Sequence, residues 1–129
     1  MTADEFIAAI AEDIHEGGVR DVLAQLQAPT GRRPPPESVA LARWYAALSA
    51  EDRARVAQVV RLGAHGAVFG LLAVLDGVRR LDPADGRFEL THVAPDGART
   101  LLNPPRGQEM LHDLFQGRVW EAVFGPPPA

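Results

Sequence analysis

Hydrophobic positions recur every three or four residues over most of this chain, and this spacing predicts amphipathic helices. The segment 62–78 is the most apolar part, and His65 and Asp76 are its only polar positions. It is too long for one strand of about six residues, so we predict a central buried helix over 62–78. The clearest amphipathic helix follows Pro36, with apolar positions at Leu41, Trp44, Tyr45 and Leu48.

The pattern changes after the turn cluster at 82–86, where apolar and polar residues begin to alternate. This period of two predicts a strand. Pro95-Asp96-Gly97 predicts a turn, because proline presets φ and glycine accepts a positive φ. A second short strand can return after it, so we expect a β-hairpin over 87–102.

We therefore predict an α+β fold, mainly α, in which about five to six helices surround the central helix and one hairpin is attached. Gly17, Gly18 and Gly117 are expected to end helices, since glycine favours the helix C-terminus. A chain of 129 residues fits one domain, 1–129. Its last residues, 125–129, contain three prolines and are expected to form a loose tail.

Small residues form a stripe along the central segment, spaced alternately by three and four positions. Such a stripe lets another backbone approach closely, as in tightly packed helix pairs. The same glycines could instead break the segment into two helices near Gly63 and Gly66, and both interpretations remain open. The stripe consists of Gly63, Gly66, Gly70, Ala73 and Gly77.

Composition and charge exclude several functions. The chain has no cysteine, so disulfides and thiol chemistry are excluded. All 13 basic residues are arginine, and Ala, Gly and Pro are abundant, which is typical of GC-rich bacterial genomes. The formal charge of −4, with acids and bases interspersed, argues against a nucleic-acid partner.

The location of the protein can also be predicted. The N-terminal segment is acidic, where a signal peptide needs basic residues. The longest central stretch without a formal charge, 62–75, has 14 residues and is shorter than the ~20 that cross a bilayer. We expect a soluble cytoplasmic protein with no membrane partner.

Two Glu-x-x-His pairs raise the possibility of a metal site, because such pairs on facing helices build di-iron centres. They are Glu12/His15 and Glu109/His112. The apolar pattern of each helix places both pairs on the polar side, so we expect no metal and no cofactor. The only two serines lie near helix starts, where serine usually caps, and we assign no catalytic residue.

A candidate binding pocket lies between the central helix and the helix that carries Trp44 and Tyr45. His65 and Asp76 are eleven positions apart, roughly 16 Å along a helix, so they cannot form a direct dyad. They could line a cleft together with Phe69. Aromatic walls with a few polar groups are the usual composition of a ligand pocket.

Three functions are consistent with these features. The leading hypothesis is a non-catalytic protein-interaction module, which binds a protein partner or forms a homodimer. The alternative is a small-molecule-binding protein that uses the candidate pocket. The second alternative is an acid–base enzyme with a histidine, His65 or His92, and a carboxylate.

Overall fold

The computed structural model of the protein describes residues 1–81, 83 and 86–128. This part contains four helices and a two-stranded antiparallel hairpin, which confirms the predicted α+β, mainly α class. The predicted number of five to six helices is wrong. The helices are α1 over 3–27, α2 over Pro36–Ala46, α3 over Ala50–Leu75 and α4 over Leu111–Phe124; the strands are β1 over Thr91–Val93 and β2 over Arg99–Leu101.

The helix count differs because several glycines do not end helices. Gly17 and Gly18 lie inside α1, and Gly117 lies inside α4. A helical glycine costs about 1 kcal/mol against alanine, and the apolar contacts on both sides of each glycine outweigh that cost. The effective stops are Gly77 after α3 and Gly125 after α4, where φ is 77° and 84°.

Helix α1 has three sections: α-helical Ala3–Ala9, π-helical Ile10–Glu16 and α-helical Gly17–Gln27. Its buried positions are four residues apart, a spacing that would drift around a regular helix of 3.6 residues per turn. The wider π-helical turns compensate for this drift and keep the buried positions on one side. The buried positions are Ala3, Ile7, Ala11, His15 and Val19.

The π-helical section also decides which side chains enter the core. Ile14 is 57% exposed, whereas the next residue, His15, is completely buried. The expectation that His15 faces solvent is therefore wrong, because the wider turns rotate the later positions. Glu12, its predicted companion, is exposed.

The core lies where α1, α3 and α4 pack on one another. Helix α2 packs on the last section of α1, and Tyr45 is its one buried residue. A capping box starts α1: Thr2 Oγ1 accepts from the Glu5 amide at 3.1 Å, and Glu5 Oε2 accepts from the Thr2 amide at 2.8 Å. The core side chains are Ala3, Ile7, Ala11, Leu72, Leu111, Phe115 and Val119.

The prediction of a central buried helix over 62–78 is wrong in two respects, the residue at which the helix ends and the extent to which it is buried. A single uninterrupted helix, α3, ends at Leu75, so of the two open interpretations the break near Gly63 and Gly66 does not occur. One side of α3 packs on α1 and α4 through Leu72, whereas Val59 is 67% and Leu71 is 62% exposed on the other side. The described helices are too few to surround it.

The hairpin prediction is confirmed, with paired strands shorter than 87–102. Thr91 pairs with Leu101 and Val93 with Arg99. The predicted turn between them is present: the Gly97 amide donates to the Ala94 carbonyl at 2.8 Å, and Gly97 has φ 87°. The predicted turn at 82–86 lies largely outside the described residues.

Two isoleucines of α1 test the effect of the π-helical section on the core. We expect Ile7→Ala to lower the free energy of unfolding by about 2–5 kcal/mol, because it leaves a cavity in a closed core. Ile14→Ala should lower it by less than about 1 kcal/mol, since its side chain is mostly exposed. Urea unfolding measures both, and equal losses would contradict the register described for α1.

Candidate functional site

The carboxylate of Asp76, at the end of α3, holds the first turn of α4. Its Oδ1 accepts from the backbone amide of Leu111 at 3.2 Å, and its Oδ2 accepts from that of His112 at 2.8 Å. The residue before α4, Met110, supplies no side-chain cap. Asp76 therefore caps a helix that begins 35 residues later, and its negative charge suits the positive end of the helix dipole.

The same carboxylate binds the imidazole of His112. Nδ1 lies 2.6 Å from Asp76 Oδ2, and the two side chains are 10% and 3% exposed. An ionised carboxylate only accepts hydrogen bonds, so Nδ1 is the protonated nitrogen of this pair. Nε2 lies 3.4 Å from Oδ1 of the exposed Asp113. With a carboxylate beside each nitrogen, the imidazole of His112 fastens α4 to α3.

Asn103 fixes the hairpin to the same end of α3. Its Nδ2 donates to the Leu75 carbonyl at 2.6 Å and to the Phe88 carbonyl at 3.0 Å. Its Oδ1 accepts from the Leu90 amide at 2.8 Å. Three hydrogen bonds from one amide thus join α3, the chain entering β1 and the chain leaving β2. We call Asp76, His112 and Asn103 the α3-end junction.

A second set of side chains, which includes two histidines, surrounds the buried ring of Phe115. His15 meets this ring edge-on at 5.4 Å, and His65 stacks on it at 5.8 Å. His65 also contacts Phe69 at 5.5 Å and Phe124 at 5.0 Å. These five residues, from α1, α3 and α4, form what we call the aromatic cluster.

The histidines of the aromatic cluster are poorly satisfied. His15 Nδ1 lies 3.2 Å from Glu16 Oε1, but the two groups are not oriented for a hydrogen bond. Neither nitrogen of His15, nor Nε2 of His65, has a hydrogen-bond partner within the described structure.

This environment changes the titration of His65. Burial lowers the pKa of His65 below its ordinary value, and the neighbouring His15 imidazole lowers it further. His65 is therefore held in its neutral form among aromatic rings at neutral pH. Its role in the folded chain is an aromatic one, as a flat ring stacked on Phe69 and Phe115.

The five residues of the candidate pocket fall into two groups. His65 and Phe69 stack on each other, and Phe69 contacts His112, which binds Asp76. Trp44 and Tyr45 belong to α2. The structure thus brings three of the five into one connected set.

The α2 residues lie towards the other end of α3. The Arg53 guanidinium lies 5.6 Å from the centre of the Tyr45 ring, and its Nε donates to the Tyr45 carbonyl at 3.3 Å. Arg53 and His65 are twelve residues apart, or roughly 18 Å along the helix. Trp44, next to Tyr45, is about half exposed.

Sequence reasoning missed His15, His112 and Asn103. It placed both histidines on polar helix sides; for His112 this was wrong because α4 begins at Leu111, which turns the His112 side chain towards Asp76. A usable signal was the lack of a capping residue before α4, since a helix start needs an acceptor from elsewhere. For Asn103 the signal was a lone amide between the hairpin and two prolines.

The described residues include no group of three or more His, Cys, Asp or Glu side chains that could hold a metal ion. Comparison with known proteins gives no further assignment: no family model matches this chain, and no curated protein or solved structure matches it either. Function must therefore be inferred from the geometry of the chain itself.

Replacing Asp76 tests the α3-end junction. Asp76→Ala leaves two backbone amides and a buried imidazole without their acceptor, so we expect a loss of about 3 kcal/mol in the free energy of unfolding. Asp76→Asn keeps one acceptor oxygen and should lose about half as much. The control is Asp113→Ala, which removes the exposed carboxylate on the other side of His112 and should cost under about 0.5 kcal/mol. Equal losses for Asp76→Ala and Asp113→Ala in urea unfolding would contradict this role.

The lowered pKa of His65 predicts a pH dependence of stability. The unfolded chain binds a proton at His65 near pH 6.5, whereas the folded chain binds it only at lower pH. The contribution of His65 to the free energy of unfolding is therefore fully present above about pH 6.5. It declines as the pH falls towards the lowered pKa. Thermal unfolding between neutral and mildly acidic pH should show a smaller decline for His65→Gln than for the wild type. His92→Gln, in the hairpin, is the control and should keep the wild-type decline.

Proposed function

We propose that the protein is a non-catalytic interaction module and that its partner is a second copy of the same chain. The observation that carries this proposal is the surface area. The chain of 13.9 kDa exposes 9008 Å² of solvent-accessible surface. A compact monomer of this mass exposes roughly 6,700 Å².

Two adjoining helices carry several of the exposed apolar side chains. On α3, Val59, Leu62 and Leu71 are exposed, and on α4, Trp120 and Phe124 are half-exposed. The two helices are connected at this surface, because the Phe124 ring contacts His65 of α3 at 5.0 Å and Trp120 at 4.5 Å. Exposed apolar side chains that cluster on a surface mark interaction sites in soluble proteins.

The surplus of exposed surface area is as large as the area that a stable dimer interface buries. It amounts to roughly 2,300 Å², using the same relation between surface and mass. A standard protein interface buries about 800 Å² on each partner, and permanent homodimers bury more. A second copy has the same apolar composition, and two-fold dimers are the commonest oligomers.

The alternative to a protein partner is a lipid bilayer that contacts the exposed side of α3. By length and composition α3 could span a membrane, and only 22% of its most apolar 18-residue stretch is buried. However, its uncharged part, 62–75, covers about 21 Å at 1.5 Å per residue, against about 30 Å of hydrocarbon. The other side of α3 already packs against α1 and α4. These dimensions support a protein partner rather than a bilayer, and a cytoplasmic location remains part of the proposal.

Light scattering coupled to size-exclusion chromatography tests self-association. We expect a mass of twice 13.9 kDa for the wild type, falling towards one chain only on strong dilution. Val59→Asp should weaken the dimer at least about tenfold, because it buries a charge at the interface. Val22→Asp is the matched control, since Val22 is an exposed valine on a different helix, α1. A monomer at every concentration would refute the proposal.

A further inference from the structure

We infer that a zinc ion binds between two copies of the chain, held by His112 and Asp113 of each copy. This inference rests on the proposed self-association and deepens it, because one copy alone does not hold a complete site. The starting observation is the second nitrogen of His112. Its Nδ1 binds Asp76 at 2.6 Å, whereas Nε2 makes no hydrogen bond within the described structure and lies 3.4 Å from Asp113 Oδ1.

The bond to Asp76 leaves Nε2 as the nitrogen that can bind a cation. Because Nδ1 carries the proton, Nε2 carries the lone pair. The ring is held in this orientation, since His112 is only 8% exposed and Phe69 meets it edge-on at 5.3 Å. A lone pair and a carboxylate oxygen that face each other repel unless a cation lies between them. Histidines that bind metals commonly donate their other N–H to a carboxylate, as His112 does to Asp76.

The distance between Nε2 and Asp113 Oδ1 suits two ligands of one zinc ion. Imidazole nitrogens and carboxylate oxygens lie about 2.0–2.2 Å from zinc, and at the tetrahedral angle two such atoms are about 3.4 Å apart. The Asp113 side chain is 55% exposed, so an ion can reach this pair from solvent. Imidazole suits zinc, whereas Mg²⁺ and Ca²⁺ are bound by oxygen ligands. We call these two atoms the half-site.

One copy supplies only half of the ligands that zinc requires. Structural zinc sites almost always have four ligands. The described residues of one copy contain no group of three His, Cys, Asp or Glu side chains that could hold a metal. A two-fold axis repeats every ligand. Two copies that meet about an axis beside Asp113 therefore provide two imidazole nitrogens and two carboxylate oxygens, which complete the tetrahedron.

The half-site adjoins the apolar surface that we propose for self-association. Asp113 and Trp120 line the same surface cavity, of about 320 Å³. The Trp120 ring in turn contacts Phe124 at 4.5 Å. These three residues are spaced by seven and four positions, which places them on one side of α4. A contact between two copies through Trp120 and Phe124 therefore brings the two half-sites to the same interface.

The charge of this surface also favours a cation at the interface. The cavity is lined by Asp113 and Glu109, and no basic side chain lines it in the described structure. A two-fold contact places the same patch of each copy against the other. Carboxylates of the two copies then face each other, and like charges across an interface oppose association. A divalent cation bound by both copies removes this repulsion.

Light scattering of the untagged full chain, in EDTA and in Zn²⁺, tests the site. We expect free zinc at about ten times its dissociation constant to tighten the dimer roughly tenfold, since it binds the dimer in preference to the single chain. Mg²⁺ at the same concentration should have no such effect, because it is bound by oxygen ligands and not by imidazole. Equal effects of the two ions would overturn the inference, since screening of the carboxylates would then be sufficient.

Substitution of Asp113 tests the half-site without disturbing the core. Asp113→Ala should abolish the effect of zinc. In EDTA it should associate at least as tightly as the wild type, because the facing carboxylates are gone. Asp21→Ala, which removes an exposed carboxylate from α1, is the matched control and should keep the effect of zinc. A zinc effect that survives Asp113→Ala would contradict the site.

Long-range ¹H–¹⁵N NMR of the wild type identifies the nitrogen that binds zinc and leaves His112 in place. Zinc should move the Nε2 signal of His112, while Nδ1 remains protonated and bonded to Asp76. The other three histidines should keep their signals. An unchanged His112 signal in saturating zinc would overturn the inference.

These outcomes separate the two proposals. A wild-type dimer that is equally stable in EDTA and in zinc would refute the zinc site alone, and the proposed function would stand. A wild-type monomer under both conditions would refute self-association together with the zinc site.

Discussion

The packing of this protein depends on one carboxylate that ends one helix and starts another. Asp76 stands where α3 stops, and its two oxygens accept the first amides of α4 and the imidazole of His112. Hydrogen bonds to a charged acceptor that is shielded from solvent are among the stronger hydrogen bonds in proteins. They set where α4 begins, and hence which of its side chains, Leu111 and Phe115 among them, enter the core.

The burial of the rest of α3 is limited by the small number of helices that can pack on it. A helix of 26 residues is about 39 Å long, and the described chain packs on one side of it. The result is a helix with one packed side and one side that is largely exposed. The packed side carries Leu72 and the ring of His65 towards the core, and the exposed side carries Val59 and Leu62 at the surface.

Features set by neighbouring residues could be predicted from the sequence. The capping box at Thr2, the turn at Gly97 and the helical nature of α3 all depend on local spacing and backbone preference. The burial of His15 could not, because a π-helical section shifts the register that a regular helical period assumes. The pairing of Asp76 with His112 joins residues 36 positions apart, and only tertiary packing specifies it. The candidate pocket assumed that α2 lies along the middle of α3, whereas α2 packs on α1.

The sparse attachment of α2 has a consequence for how the native protein opens. This helix buries only Tyr45 and rests on the last section of α1, behind a proline-rich loop. Segments with few buried contacts exchange their amide hydrogens through local openings that leave the rest of the protein folded. The amides of α2 should therefore exchange well before those around Leu72 and Phe115. A protease should likewise cut the chain in this region first, while α1, α3 and α4 stay packed together.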